Sequence, residues 1–196
     1  MLSYNPFDRH NTVYNWSSRD GIFSNEEIEK INYEIQKLPE EKGKVVEGKE
    51  DLNFRKCTIR WMHESNFDCR WIFDRIAYHI YDTNNQYFNF DLYGFDSIQC
   101  TTYAKKDYYD WHHDVVVGRH PTNPLPPRKL SATILLNDDF KGGEFEFFTG
   151  QEKPEIPNLK KGSIIIFPSF VFHRVAPVTK GIRNSLVVWA LGPKLK

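Results

Sequence analysis

Hydrophobic residues along this chain change their spacing part way. In the first third, Ile28, Ile31, Ile35 and Leu38 recur at helical intervals behind Ser24-Asn25-Glu26-Glu27. That tetrapeptide is a capping box, in which Ser24 and Glu27 can satisfy each other's otherwise unpaired amides, and Pro39 closes the helix. Ser65-x-x-Asp68 opens a second helix with Ile72, Phe73, Ile76 and Ile80 as its apolar face and Asn84-Asn85 as its end. The stretch between them, Glu40 to Asp51, is charged, contains glycine and reads as a loop.

From about Phe88 the period becomes two. Phe88, Phe90 and Leu92 alternate with polar residues. Further short extended runs follow at 98–103, 130–136, 144–148, 163–167, 171–175 and 184–191, with Asp138-Asp139 and Gly142-Gly143 marking a turn. Many short strands between Gly, Pro and Asn turns predict an antiparallel sandwich or barrel. Helices ahead of strands make this an α+β chain with helices packed outside a β core. Residues 120–129 break the pattern: Pro121, Pro124, Pro126 and Pro127 keep them out of a sheet, as a surface loop or one that covers a substrate. No repeat or linker divides residues 1–196, so a single domain is expected.

Composition narrows the function classes. The 196 residues carry 26 Lys+Arg against 26 Asp+Glu, and this zero formal charge argues against a nucleic-acid or anionic-membrane partner. A hydrophobic share of 40%, with 15% aromatic residues, excludes a disordered chain. No apolar run reaches the ~18–20 residues that span a bilayer, and the longest, Ile164 to Phe172, is broken by Pro168. Met1 to His10 is polar and offers no secretory signal, so a soluble cytoplasmic chain is expected. Cys57, Cys69 and Cys100 are odd in number and far apart, which predicts reduced, buried thiols rather than disulfides or a zinc knuckle.

The candidate chemistry starts at Trp111-His112-His113-Asp114. In an extended segment His112 and Asp114 share one face and His113 points away, so an imidazole and a carboxylate can grip one ion from the same side. Alone this is a common tripeptide, equally at home on a surface strand. His173 would project with Val171 and Val175 into an apolar layer, where a lone histidine is more often a hydrogen-bonded core residue. Taken with His112 and Asp114 it completes two imidazoles and one carboxylate, the set that holds one face of an octahedral ion and suits non-haem Fe(II) oxygenases. Arg183 shares a strand face with Ser185, Val187 and Trp189. An inward guanidinium there is costly unless it meets an anion, and its planar fork fits a carboxylate. At a sheet edge it would simply reach solvent.

His112-x-Asp114, His173 and Arg183, in this order and spacing, resemble the Fe(II)- and 2-oxoglutarate-dependent dioxygenases. Within these the chain looks most like the prolyl 4-hydroxylase-type group, including small bacterial and phage-encoded hydroxylases. The motifs that carry the likeness are Tyr108-Tyr109-Asp110-Trp111, Arg128-Lys129-Leu130-Ser131, Gly142-Gly143-Glu144-Phe145, Phe167-Pro168-Ser169, His173-Arg174-Val175 and Arg183-x-Ser185-Leu186-Val187-x-Trp189. They cover about residues 98–192.

The resemblance implies a distorted double-stranded β-helix, or jelly-roll barrel. Its core would lie at about 91–196, supported by N-terminal helices over about 1–90. His112, Asp114 and His173 would bind Fe(II). Arg183 would take the distal carboxylate of 2-oxoglutarate, with Tyr103, Thr133 and Ser185 beside it. Collagen-type relatives use Lys at the Arg183 position, and oxygen-sensing ones place a second cosubstrate tyrosine where this chain has Leu135. The implied activity is O2-dependent hydroxylation of a protein or peptide, with peptidyl proline the first choice and ascorbate a candidate reductant. Alternatives within the superfamily are a nucleic-acid demethylase and a free-amino-acid hydroxylase. Outside it stands a non-catalytic, metal- or ligand-binding β-sandwich. Trp189, Tyr108 and Tyr109 either line the pocket or pack as aromatic core.

Overall fold

The computed structural model describes residues 14–43, 51, 53–95, 97–115 and 126–194. The first half holds β1 (Ser17–Arg19), α1 (Asn25–Gln36), β2 (Glu41–Lys42), β3 (Arg55–Lys56), β4 (Thr58–His63) and α2 (Arg70–Thr83). It is followed by β5 (Ser97–Tyr103), β6 (Tyr108–His112), β7 (Arg128–Leu135), β8 (Lys141–Gly142), β9 (Phe145–Phe147), β10 (Ile164–Pro168), β11 (His173–Val175), β12 (Val178–Lys180) and β13 (Arg183–Leu191). Among the described residues, the larger sheet has the order β1-β10-β7-β13-β5-β4-β2, the smaller β3-β6-β11-β9, and β12 pairs with β8. The pairings of both sheets are antiparallel.

Period-two alternation divides the larger sheet's side chains between two cores. Cys100, Leu130, Ala132, Ile134, Ile164, Ile166, Leu186 and Val188 face the helices, where they meet Ile28 and Ile31 of α1 and Ile72, Ile76 and Ile80 of α2. The intervening residues face the smaller sheet, where Tyr103, Ile165 and Phe167 meet Phe145, Phe147 and Val175. Helices thus cover one face of the larger sheet and the smaller sheet covers the other. This is the expected α+β arrangement of a distorted double-stranded β-helix.

The α1 capping box forms as the sequence predicts: Ser24 Oγ accepts from Glu27 N at 3.2 Å, and Ser24 N donates to Glu27 Oε2 at 2.9 Å. All three cysteines are free and buried. Arg75 of α2 ties the two helices together by donating to Glu27 Oε1 and to the Ile22 carbonyl.

Three expectations need correction. First, the first 90 residues are not helical support alone, because β4 pairs with β5 over six residue pairs inside the larger sheet. In β4, Ile59 belongs to the inner core and Met62 to the helix-side core. Apolar residues on both faces erase the alternation that would have revealed a strand. Second, Phe88, Phe90 and Leu92 do not form a strand. A π-helical turn at Asn84–Phe88 ends in left-handed Asn89 (φ 55°), and the three side chains pack irregularly against the helix-side core. Third, α2 is preceded by a 3-10 turn at Phe67–Cys69 that Asn66, not Ser65, caps through Asp68 N. Of the proline-rich stretch, residues 120–125 lie outside the described residues.

Asn84 is the pin of the α2-to-β5 connection. Its amide nitrogen donates to the Phe90 carbonyl and its oxygen accepts from Phe90 N, both at 2.9 Å, and the residue is buried. Asn84→Ala should therefore cost about 1–2 kcal/mol, since it removes two part-buried hydrogen bonds to the Phe90 backbone. Urea denaturation measures this, and a loss under about 0.5 kcal/mol would show that the pin carries no stability.

Candidate metal centre and its pocket

The strand pairing brings the two histidines together. His112, last in β6, sits directly opposite His173, first in β11, and the ring centroids are 4.2 Å apart. Asp114 lies beyond the end of β6, where its N–H donates to the Ser169 carbonyl at 2.8 Å. Its Oδ1 is 3.9 Å from His112 Nε2 and its Oδ2 is 3.6 Å from His173 Nε2. One donor atom from each of these residues lies within 4.8 Å of the others, and the group could hold a metal ion. His113 is exposed and turned toward Phe172, as alternation predicts.

The protonation pattern fits a metal. His112 Nδ1 lies 2.6 Å from the Asp110 carbonyl and His173 Nδ1 lies 2.9 Å from the Val171 carbonyl. A carbonyl only accepts, so each Nδ1 carries the proton and each Nε2 lone pair is left for an ion. Burial holds His112 neutral, with a pKa of about 3, and it pushes His173 downward as well. Burial alone would raise the Asp114 carboxyl. Arg128 nearby and the hydrogen bond from the Ser131 hydroxyl oppose it, and the carboxyl stays ionised with its pKa lowered. Two neutral imidazoles and one carboxylate match the donor preferences of a divalent first-row metal such as Fe(II).

One cavity runs from this triad to Arg183. Arg183 opens β13, which lies between β7 and β5 rather than at an edge, and it pairs with Tyr103. It is 1% exposed, and its Nη1 donates to Ser185 Oγ at 2.9 Å. Burial lowers its pKa, and among the described residues no carboxylate pairs with it. The Tyr103 ring centroid is 5.7 Å from the guanidinium carbon. A Cβ at Gly143 (φ +67°) would come within 3.1 Å of Arg183 Cδ, so the Gly142-Gly143 turn leaves room for this side chain. Tyr103, Thr133, Ser185 and Trp189 all line the same cavity, whereas Leu135 is not among its lining residues.

Sequence reasoning undervalued Tyr109. Strict alternation sets it on the face opposite His112. A bulge between β6 and β11 shifts the register, so Val175 pairs with Tyr109 while His173 pairs with His112. Tyr109 therefore also lines the cavity, with its ring stacked on His112 at 3.5 Å and the Arg55 guanidinium 4.6 Å from its centroid. Arg55, on β3, carried no sequence signal of its own. Arg128 lies 3.8 Å over the Trp189 ring and 3.9 Å from Asp114 Oδ1. Tyr108 is not among the lining residues.

Comparisons with known proteins agree with this geometry. Residues 98–191 match the sequence model of the 2OG-Fe(II) oxygenase superfamily. A PKHD-type hydroxylase of Alteromonas mediterranea is 34% identical over 90 residues, covering 44% of this chain and 39% of that protein. The PKHD-type hydroxylase YbiX of Escherichia coli O157:H7 is 35% identical over 92 residues, with the same coverages. The chain thus spans well under half the length of the curated relatives it matches. In fold it is similar to a Pseudomonas putida prolyl-4-hydroxylase, with a TM-score of 0.72 at 18% identity over 92% of this chain and 94% of that one. It is also similar to a Trichoplax adhaerens prolyl hydroxylase in complex with a hypoxia-inducible-factor peptide, with a TM-score of 0.74 at 15% identity over 90% and 83%.

Two outcomes follow from this arrangement. Asp114→Ala should weaken Co(II) binding by ~100-fold or more, while His113→Ala leaves it within ~3-fold, as read by calorimetry. The reverse ranking would mean that the register is wrong by one residue. The neutral imidazoles also set the direction of acid sensitivity. Unfolded His112 takes up a proton below about 6.5, but the folded residue does so only near 3. The metal-free chain should therefore lose stability as pH falls from 6.5 toward 3, and His112→Phe should flatten that slope. A pH-independent Tm over this range would contradict it.

Proposed function

Because residues 98–191 match the sequence model of the 2OG-Fe(II) oxygenase superfamily, we propose that this chain is a 2-oxoglutarate- and O2-dependent hydroxylase that acts on peptidyl proline. The carrying observation is that one cavity holds the His112, Asp114 and His173 donors together with a buried guanidinium that no carboxylate of the described residues pairs with. In this reading residues 1–196 act as one dioxygenase domain. The peptide preference is supported by the Trichoplax neighbour, a prolyl hydroxylase in complex with a peptide.

His112, Asp114 and His173 hold the ion. Fe(II) with 2-oxoglutarate and O2 supplies the oxidising chemistry, in which the keto acid leaves as succinate and CO2 and a C–H bond becomes C–OH. Arg183 binds the distal carboxylate through its planar fork, and Ser185 fixes the orientation of that fork by accepting from Nη1. Tyr103 and Thr133 wall the same end. Phe145, Phe167 and Val175 form an apolar lining that keeps water from the reacting centre. Trp189 and Tyr109 flank the metal end, where a substrate side chain would enter.

Mass spectrometry tests the substrate. Incubation with Fe(II), 2-oxoglutarate and ascorbate should add 16 mass units to proline-containing peptides, and not to free proline or to alkylated oligonucleotides. Repair of the oligonucleotides instead would replace this reading with a demethylase. Removing one partner of a buried charge pair costs ~2–5 kcal/mol, at ~1.4 kcal/mol per tenfold. Arg183→Ala should therefore raise the KM for 2-oxoglutarate roughly thirty-fold to several thousand-fold, with metal binding retained. Arg183→Lys should recover only part of this loss, since an ammonium lacks the fork. An unchanged KM would remove Arg183 from the cosubstrate site.

A further inference from the structure

Asp114 is held by a hydrogen-bond system that none of the metal donors supplies. Ser131 Oγ donates to Asp114 Oδ2 at 2.6 Å, and Ser131 Oγ also lies 3.0 Å from Ser169 Oγ. A serine hydroxyl has a single proton. Ser131 gives its proton to the carboxylate, so toward Ser169 it can only accept. The direction of the whole chain follows: Ser169 donates to Ser131, and Ser131 donates to Asp114. The 2.6 Å separation is that of a charge-assisted O–H···O− bond, and a hydroxyl polarised by a second donor gives a stronger one. Both serines are buried, at 1% and 0% exposure, so bulk solvent does not compete for these bonds.

The backbone reinforces the same junction. The Ser169 carbonyl accepts from Asp114 N at 2.8 Å and from Val115 N at 3.2 Å, and Ser169 N donates to the Lys129 carbonyl at 3.0 Å. Ser131 sits within β7, paired with Phe167 on one side and Trp189 on the other. Ser169 belongs to the turn from β10 into β11, four residues before His173. The carboxylate is therefore tied both to the middle of the larger sheet and to the turn that delivers the second imidazole.

We propose that Ser169 and Ser131 form a directed hydroxyl relay that fixes the rotation of the Asp114 carboxylate, so that its oxygens face both His Nε2 atoms before an ion arrives. Both serines are positioning residues, and the proposal rests on the metal assignment made above. Asp114 has two side-chain torsions, and a free carboxylate would sample rotations that turn its oxygens from the imidazoles. A locked one presents a preformed three-donor face, and such outer partners typically carry 10–100-fold of metal affinity.

The test uses the full chain, freed of metal by a chelator and titrated with Co(II) by calorimetry and visible absorption. Ser131→Ala should weaken Co(II) binding about 10–100-fold and change the Co(II) band, while Ser131→Thr, which keeps the hydroxyl, restores both. Ser169→Ala should weaken binding by a smaller factor. In the Ser131→Ala background it should add nothing, because the relay is already cut. Multiplying effects of the two substitutions, or an unchanged affinity in Ser131→Ala, would overturn the relay. Where Ser131→Ala fails to fold, Ser131→Cys, a weak donor of similar size, takes its place with the same expectations. Asp114→Ala separates the two layers of the argument. If it binds Co(II) as well as the unmodified chain, the metal assignment falls and the relay with it. If only the serine variants bind normally, the relay alone falls.

Discussion

His112 faces His173 across two antiparallel strands, and the chemistry of the molecule depends on that register. A slip of one residue would turn one imidazole to the opposite face of the smaller sheet and leave the ion with at most two donors. The register is held from both sides. β9 pairs with β11 along Phe147–His173 and Phe145–Val175, and the Ser169 turn accepts hydrogen bonds from Asp114 and Val115. The bulge that admits Tyr109 to the cavity lies between the paired positions and leaves the His112–His173 pair intact.

The second constraint is burial. A carboxylate and a guanidinium both lie in the space between two apolar sheet faces, at 8% and 1% exposure. Each is costly there unless its environment compensates. For Asp114 the compensation lies within the chain: the Ser131 hydroxyl donor and the nearby Arg128. For Arg183 only the Ser185 hydroxyl and the Tyr103 ring are at hand. The two ends of the cavity thus differ in kind. One is a finished donor set and the other is a cation held ready for an anion, which is the polarity needed to orient a dicarboxylate between them.

How much of this was legible in the sequence follows from periodicity. In the strands that carry Tyr103, Thr133 and Arg183 one face meets the helices and the other the cavity. Alternation alone indicated the inward face of Arg183, whereas Tyr103 and Thr133 came from the family resemblance, and all three line the cavity. β4 escaped notice because both of its faces are buried. The Phe88–Leu92 segment imitated a strand, although its order comes from the Asn84 side chain and not from a ladder. Tyr109, left between pocket and aromatic core by the sequence, reaches the cavity through a bulge, which no period-two reading contains. Arg55 gave no local signal and Ser169 entered only within the Phe167-Pro168-Ser169 motif, since their roles arise from elements distant in sequence that fold beside the metal donors.

The central claim is that one ion, bound by His112, Asp114 and His173, shares its cavity with a 2-oxo acid anchored on Arg183. The most direct measurement is an anaerobic titration of the Fe(II)-loaded protein with 2-oxoglutarate, followed by visible absorption. A keto acid that chelates Fe(II) gives a charge-transfer band. This account predicts a band that saturates at one 2-oxoglutarate per chain and is missing in Asp114→Ala. A folded, Fe(II)-loaded protein that develops no such band would contradict it.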